Sequence, residues 1–583
     1  PYLYGWHGAG RPSGVQVYAV TFQRPEVELR LDPTAFGHVW TSPGVPEYTV
    51  TLINHTGAEQ PVALEATTVS YDKAEAPAPQ RQGVTLKAGE TKKVNFKFAV
   101  GKYGIHALAM TLKHGAQTWT EQRNFCKLAA DTRAPVWKDG DGPLFGFWAY
   151  GAGHYGPSSL DTYTVMKAAG ARTCIASSAD PKTPEGQFLL QHQWPLAGHA
   201  WPLLPQWEWA GADPLDLTRY NAYKDFAVQA FRDVQGDHPD YVTFFPEPHI
   251  SMETTAGAGP ADYWGDAYTL TPEEQQALRV FFNTSKAAAE GIRAAWPKTK
   301  ILIPWGDPLF VVPLLRAGFP KELIDGSALD MVGFERLPEQ QIHQMSTHRL
   351  YILQQEYAKA GIPDPALYYN EGIFSPTEVG ALTWQEQAER YHRWTLLSLA
   401  YGIEKFYSGW FAFDCTSYYG AEHYGGCGIQ RRVPYNDPKP AYAHYATMTR
   451  MLERSKFDSW LPTGSHTAYC LKFMRLGQPV YAVWTVRGQR PFTLNVANDL
   501  TVTDSMDNAA VVKAVDGAAT ITVGTSPLYL TGAEITGVTL GAPDHAEAVT
   551  WSRTRNQATW HDGPAVQAPP VQAEKVIARF GDG

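Results

Sequence analysis

The chain has 583 residues, too many for one hydrophobic core, and ordinary domain sizes divide it into roughly two to four units. With 44% hydrophobic and 18% charged residues its composition is that of a globular protein, which excludes a disordered chain. The formal net charge of -9 is spread along the sequence without any basic stripe or run, which speaks against a nucleic-acid binder.

From about residue 14 to 130 the pattern is one of short strands. Val15–Thr21, Glu47–Ile53, Val62–Ser70, Thr91–Phe98 and Gly104–Leu112 each show partial period-two hydrophobicity, with turn clusters such as Asn54-His55-Thr56-Gly57 between them. No helix-length amphipathic segment intervenes, so residues 1–135 are expected to form an N-terminal β-sandwich of immunoglobulin-like type. Asp131–Pro143, rich in Pro, Asp and Gly, reads as the linker that leaves it.

Between about 144 and 455 the texture becomes strand, loop, helix, repeated. The expected strands are Leu144–Tyr150, Ala171–Ala176, Leu196–Leu204, Tyr241–Phe245, Lys300–Ile303, Met331–Phe334, Ala366–Tyr369 and Lys405–Phe411. Helices are expected at Leu160–Ala169, Tyr220–Val234, Pro272–Ala295, Thr347–Ala360, Trp384–Ala400 and Pro440–Leu452. Strands alternating with helices in this way call for a (β/α)8 TIM barrel over residues 136–455, with a doubly wound open sheet as the rival. Beyond 456 the chain returns to short strands at Thr467–Met474, Val480–Thr485, Phe492–Val496, Ala519–Val523 and Leu528–Leu530. Residues 456–583 are therefore expected to be a C-terminal β-sandwich with a peripheral extension over 541–583, rich in Ala, Pro and Gly. The whole reads as a multidomain protein, a central TIM barrel flanked by two β-sandwiches.

Five cysteines are too few and too scattered for a disulfide scaffold, although Cys415 and Cys427 lie close enough to staple one loop. No C-x-x-C pair occurs, and no other ligand cluster points to a metal or cofactor. The sequence starts at Pro1 without Met or an apolar signal segment, and no run of about 18 apolar residues appears. A soluble chain is expected, not a membrane-spanning one, in the mature or trimmed form of a secreted or periplasmic protein. Its oligomeric state is not legible.

Aromatic residues make up 13% of the chain, with 19 Trp and 30 Tyr, many beside Gly, His, Asp or Glu. Flat rings with polar edges suit the C–H faces and hydroxyls of sugars; use in large β-rich cores is the alternative. In a TIM barrel the chemistry sits where strands end, so the residues just beyond each apolar run are the ones to inspect. Strand four runs into Phe245-Pro246-Glu247-Pro248-His249 and strand seven into Tyr369-Asn370-Glu371-Gly372. A carboxylate directly after an apolar strand is costly unless it faces a cavity. Two facing one mouth supply a protonated acid and an ionised nucleophile, the minimum for glycoside hydrolysis.

This arrangement resembles the clan A glycoside hydrolases, TIM-barrel retaining enzymes with an acid/base Glu at the end of strand four and a nucleophile Glu at the end of strand seven. The resemblance covers about residues 144–535. It implies Glu247 as acid/base and Glu371 as nucleophile, and a poly- or oligosaccharide as the partner. Tyr407-Ser408-Gly409-Trp410 is similar to the clan's Trp-ending eighth strand, which floors the sugar subsite. Asn436-Asp437-Pro438-Lys439-Pro440-Ala441-Tyr442 resembles its lead-in to the last helix, and Ser526-Pro527-Leu528-Tyr529-Leu530 the closing strand of its C-terminal sandwiches. One departure stands out: the clan places Asn before the acid/base, and here that position is Pro246, which offers no side-chain bond. His249 and Asn370 are the candidates to replace it. The departure marks a divergent family.

Other strand ends add candidates for a cleft wall: Trp148, Tyr150 and His154 after strand one, and Trp201, Trp207 and Trp209 after strand three. Trp305 ends strand five. Glu335 ends strand six, either paired with Arg336, or contacting sugar hydroxyls, or itself the nucleophile if the strand count slips by one. Arg431 and Arg432, in the loop after strand eight, suit a carboxylate or sulfate and raise an acidic or sulfated glycan as substrate; a surface salt bridge is the plainer reading. H-E-x-x-H, G-x-S-x-G and Walker motifs are all absent, and the G-x-G-x-x-G from Gly151 to Gly156 carries bulky His154 and Tyr155 where a pyrophosphate cradle needs small residues. The rival outside enzymes is a catalytically inactive carbohydrate-binding protein on a glycosidase barrel.

Overall fold

The computed structural model describes residues 24–148, 158–175, 181–199, 240–243, 272–306, 311–332, 337–341, 347–374, 382–403, 405–407, 410–414 and 426–544. By contact the chain divides into one unit running to Phe457 together with Ser505–Asn508, and a second made of Asp458–Asp504 and the residues from Ala509 on.

The first unit opens with β1 (Val27–Pro33), β2 (Val39–Thr41), β3 (Glu47–Asn54), β4 (Gln60–Ser70), β5 (Gln80–Leu86), β6 (Thr91–Lys97), β7 (Gly104–His114) and β8 (Gln117–Leu128). They form two sheets, β1-β3-β6 and β2-β8-β7-β4-β5. Alternation makes the sandwich: Tyr48, Val50 and Leu52 of β3 face Val62, Leu64 and Ala66 of β4 and Leu108, Met110 and Leu112 of β7 across one buried core. Each such buried aliphatic or aromatic side chain contributes about 1.5–3 kcal/mol. The expected strand at 15–21 lies outside the described residues, whereas the short β2 and the longer β1, β5 and β8 are additional. The polar faces of the longer three, Gln-rich in β5 and β8, hid the alternation.

The parallel sheet comes next in the chain. Its strands are β9 (Leu144–Phe145), β10 (Cys174–Ile175), β11 (Leu196–His199), β12 (Tyr241–Thr243), β13 (Lys300–Gly306), β14 (Gly326–Val332), β15 (Ala366–Ile373) and β16 (Lys405–Phe406). They pair in the order β10-β11-β12-β13-β14-β15-β16-β9, every pair parallel. The two end strands approach as well, since the Arg172 amide donates to the Phe145 carbonyl at 2.9 Å. Helices on the connections are α1 (Ser159–Ala168), α2 (Pro184–Gln191), α3 (Pro272–Ala295), α4 (Val311–Arg316), α5 (Pro338–Gln341), α6 (Thr347–Lys359), α7 (Trp384–Ala400) and α8 (Pro440–Leu452). A parallel crossover requires such connections. α7 begins where its sequence says it should, on a capping box in which Thr383 and Glu386 bond each other's backbone amides. The helix expected over 220–234 lies outside the described residues.

Strand six is displaced from its expected place. Met331–Phe334 is the apolar run, but β14 starts at Gly326 on small and polar residues. Gly326 lies against the neighbouring strand so closely that a Cβ there would overlap the Ala366 carbonyl. The buried Ser327 hydroxyl bonds the Ile303 carbonyl at 2.8 Å and the Tyr357 hydroxyl at 2.7 Å. Close backbone approach and an internal polar tie replaced the apolar signal.

Strand eight is also interrupted. It ends at Phe406, and Phe411–Phe413 forms β17, which pairs with β18 (Gly428–Gln430).

The second unit carries most of a six-stranded sheet and a three-stranded one. Their shared core includes Cys470, Tyr481, Val483, Phe492, Leu494, Ile521 and Leu530. The sheets include the five strands expected from the sequence, at Ala468–Arg475, Gln478–Thr485, Arg490–Val496, Ala518–Val523 and Leu528–Thr531. Residues 545–583 lie outside the described residues. No described helix is long and apolar enough to cross a membrane.

Candidate functional site

One face of the parallel sheet is built from Leu144, Tyr241, Leu302, Ala328, Tyr368 and Tyr407, all buried and in contact. The three tyrosine rings pack with centroids 4.2–5.6 Å apart. Burial pushes the Tyr241 and Tyr407 hydroxyls far above their ordinary pKa, so they remain protonated. This layer forms an apolar floor below the strands' C-terminal ends.

Two of those ends are irregular. On β15, Leu329 of β14 faces Tyr369 while Asp330 faces Glu371, so Asn370 is an extra residue in the strand. On β13, the register likewise gains one residue between Leu302 and Trp305 relative to β14. A bulge inserts a residue, bends the strand and re-aims the side chains beyond it, and bulges gather beside active sites. Glu371 thus stands in the last stretch of pairing of the seventh parallel strand, immediately after a bulge. Asn370 and Trp305 occupy the bulged segments themselves.

On β12, Thr243 alternates with Tyr241 and so faces the same side, and its buried hydroxyl has no hydrogen-bond partner among the described residues. It is the last described residue before the segment that carries Glu247. Glu247 and His249 themselves lie outside the described residues, as do Pro246, Tyr150, His154, Trp201, Trp207, Trp209 and Glu335.

Trp148 is half-buried at the end of the first parallel strand. Its amide donates to the Trp410 carbonyl at 2.6 Å, its carbonyl accepts from Ala412 at 3.1 Å, and its ring stacks on Phe411. It extends the pairing of strands one and eight toward the C-terminal side and also touches the tyrosine floor.

Two expected contacts are corrected. Trp410 offers no face to a sugar, because it is 0% exposed. Its ring stacks on Tyr391 at 4.5 Å, meets Tyr445 edge-on, and its indole N–H donates to the Thr395 hydroxyl at 3.0 Å. The interruption of strand eight turns this Trp into the packing between α7 and α8. Arg431 is committed to Asp437: Nε and Nη2 reach the two carboxylate oxygens, each at 2.5 Å. Its guanidinium also lies 4.3 Å from the centre of the Tyr435 ring. With Nε and Nη2 given to Asp437, its charge is already balanced, which makes it a weaker site for a second anion.

The sequence reading missed the ionic anchors at the root of the strand-eight connection. Lys439, almost fully buried before α8, donates to Asp414 at 2.6 Å and to the Gly426 carbonyl at 2.9 Å. Burial pushes the Asp414 carboxyl up, and Lys439 opposes that shift. Gln387 of α7 donates to the carbonyls of Phe374 and Gly426, tying the strand-seven and strand-eight connections together. The available signal was a charge set directly after Phe411-Ala412-Phe413. Cys427 is buried, and Cys415 lies outside the described residues. Among the described residues no group of three or more His, Cys, Asp or Glu side chains is placed to hold a metal.

No protein-family model matches the sequence, and no curated protein is similar to it in sequence. Solved structures do match. A family 39 glycoside hydrolase from the gut symbiont Bacteroides cellulosilyticus WH2 superposes with a TM-score of 0.61, covering 86% of this chain and 100% of its own, at 15% identity. A glucosidase from Croceicoccus marinus has a TM-score of 0.41 at 12% identity, over 69% of this chain and 98% of that one. A GH30 endoxylanase from Clostridium papyrosolvens C71 has 0.39 at 12% identity, over 67% and 97%. The resemblance to clan A glycoside hydrolases is thereby shown as a likeness of fold, and the family 39 enzyme carries it.

Proposed function

We propose that the protein is a retaining glycoside hydrolase. In this reading the parallel sheet is a closed (β/α)8 barrel over residues 136–455, preceded in the chain by an immunoglobulin-like sandwich over 1–135 and followed by a β-sandwich over 456–583. The observation that carries it is the position of Glu371, at the C-terminal end of the seventh of eight parallel strands and directly after a bulge. The match in fold to a family 39 glycoside hydrolase supports it.

Glu247, four residues beyond Thr243, protonates the leaving glycosidic oxygen. Glu371 attacks the anomeric carbon and forms a glycosyl-enzyme, after which Glu247 draws a proton from water and the sugar is released with its configuration retained. Retention requires the two carboxyl groups to lie about 5–5.5 Å apart. The substrate is a poly- or oligosaccharide. An acidic or sulfated one rests on Arg432 alone, since Arg431 is occupied. Glu335 remains the alternative nucleophile.

The test is release of reducing sugar from a broad panel of polysaccharides, acidic and sulfated ones included, by the wild type and by Glu371→Gln. Release by the wild type alone supports the reading. Equal release by both removes Glu371 as nucleophile. Binding of a glycan without release by either favours the inactive binding protein, the reading that Pro246 motivates.

A further inference from the structure

The connection from β18 to α8 lies on the side of the parallel sheet where strands end. Arg432, Val433 and Tyr435 are exposed there, Tyr435 by 41%. Trp384, 37% exposed at the start of α7, sits beside them, with the Arg431 guanidinium 5.6 Å from its ring. These residues form a ledge of aromatic and cationic groups on the connections after strands seven and eight.

What holds the ledge is the N-terminal sandwich. The Asn124 amide donates to Asp437 at 2.6 Å, and the Asn124 side chain donates to the Pro438 carbonyl at 3.1 Å. Arg123 lies over the Tyr435 ring at 5.0 Å. Buried His38 bonds the Tyr48 hydroxyl of the sandwich core at 2.7 Å, and the Tyr435 backbone lies beside it, raising its proton affinity against the effect of burial. Gly37, with φ of +70°, lets the backbone come so near α1 that a Cβ would meet the Val165 side chain at 2.6 Å. Asp437 is 0% exposed and accepts from both Arg431 and Asn124, so it is the junction of the ledge with the sandwich. The sandwich thus contacts three residues of this short stretch, Tyr435, Asp437 and Pro438.

We propose that the N-terminal sandwich is a working part of the substrate site: through His38, Arg123 and Asn124 it fixes the 431–438 ledge, on which the portion of a glycan remote from the cleaved bond rests. The three are positioning residues. They touch no reacting atom, and they act by setting where Tyr435 and Arg432 stand. This rests on the glycosidase reading for its substrate, and it assigns to the sandwich a role in binding extended glycans rather than in the chemical step.

The test uses the full chain and its His38→Ala, His38→Gln and Arg123→Ala variants, with amide exchange over 431–438 and kinetics on a polymeric glycan that the wild type cleaves. Exchange in the ledge rises about tenfold in His38→Ala and Arg123→Ala while that of 366–373 is unchanged. KM rises about fivefold and kcat changes by less than about twofold. His38→Gln, which keeps a donor and an acceptor, restores both. Faster exchange with unchanged KM would reduce the contacts to packing and overturn the proposal, and so would unchanged exchange. If the wild type cleaves nothing, the glycosidase reading falls, and the same shift is sought in the dissociation constant of a glycan it binds; no shift there, or no glycan bound, overturns the positioning role too.

Discussion

The two ends of the parallel sheet are built on opposite plans. At the N-terminal end the polar groups satisfy one another. Asp240, before β12, accepts from the Leu196 amide at 2.7 Å, and Asp325, before β14, accepts from the Ile301 amide at 2.7 Å and from Arg293 at 2.5 Å. Each carboxylate thus caps the start of a neighbouring strand. Lys300 bonds the Tyr368 hydroxyl, and Lys405 reaches Asp139 while lying over the Trp137 ring. At the C-terminal end, β13 and β15 are bulged and Thr243 keeps a buried hydroxyl without a partner among the described residues. One end is closed on itself and the other is irregular; in the proposed reading the first serves stability and the second a ligand. That division of labour is usual for parallel barrels.

Breaking each end separates the two roles. The largest expected effect falls on the proposed acid/base: Glu247→Gln lowers kcat about 10²–10⁴-fold with the melting temperature unchanged, as activity assays and calorimetry on the same sample would show. At the closed end the opposite holds. Asp325→Ala strands the Ile301 amide and takes from Arg293 its only carboxylate among the described residues, which destabilises the protein by about 2 kcal/mol, read from a denaturant midpoint, while kcat per folded molecule stays put.

A smaller and more gradual effect comes from the helices behind strands seven and eight. His392 of α7 and His444 of α8 face each other, fully buried, with their Nδ1 atoms 3.3 Å apart. Burial depresses both, His444 to about 3. The unfolded chain takes up these protons near the ordinary histidine value of about 6.5, and the folded chain does not, so stability falls as pH drops below about 6.5 and goes on falling toward about 3. Melting temperatures between pH 7 and 5 should decline, and His444→Gln should flatten the decline.

The sequence showed the periodic elements best. Pro272–Ala295, Trp384–Ala400 and Pro440–Leu452 have the expected bounds because turn chemistry and helical spacing coincide at their ends. β14 escaped because its signal is backbone proximity at Gly326 and an internal Ser327 bond, neither of which is apolar. Of the site, the nearness of Glu371 to the end of strand seven was legible in outline, but the strand expected to stop at Tyr369 runs on to Ile373 and takes Glu371 into its pairing. The bulge at Asn370 was not legible, because register depends on the partner strand. Trp410 was misjudged because its partners, Tyr391 and Thr395, lie on another element, whereas Arg431 took the plainer of its two readings, an ion pair, with Asp437 folded back across a turn. Residue type alone cannot distinguish a ring that meets a sugar from one that meets a helix.

The most direct measurement of the central claim is covalent trapping with a panel of 2-deoxy-2-fluoro glycosides bearing good leaving groups, followed by peptide mass analysis. A retaining enzyme with this nucleophile carries one added glycosyl mass on the peptide containing Glu371, and Glu371→Gln carries none. A label on Glu335, or sugar release by the wild type with no label at all, would contradict the assignment of Glu371 as the nucleophile.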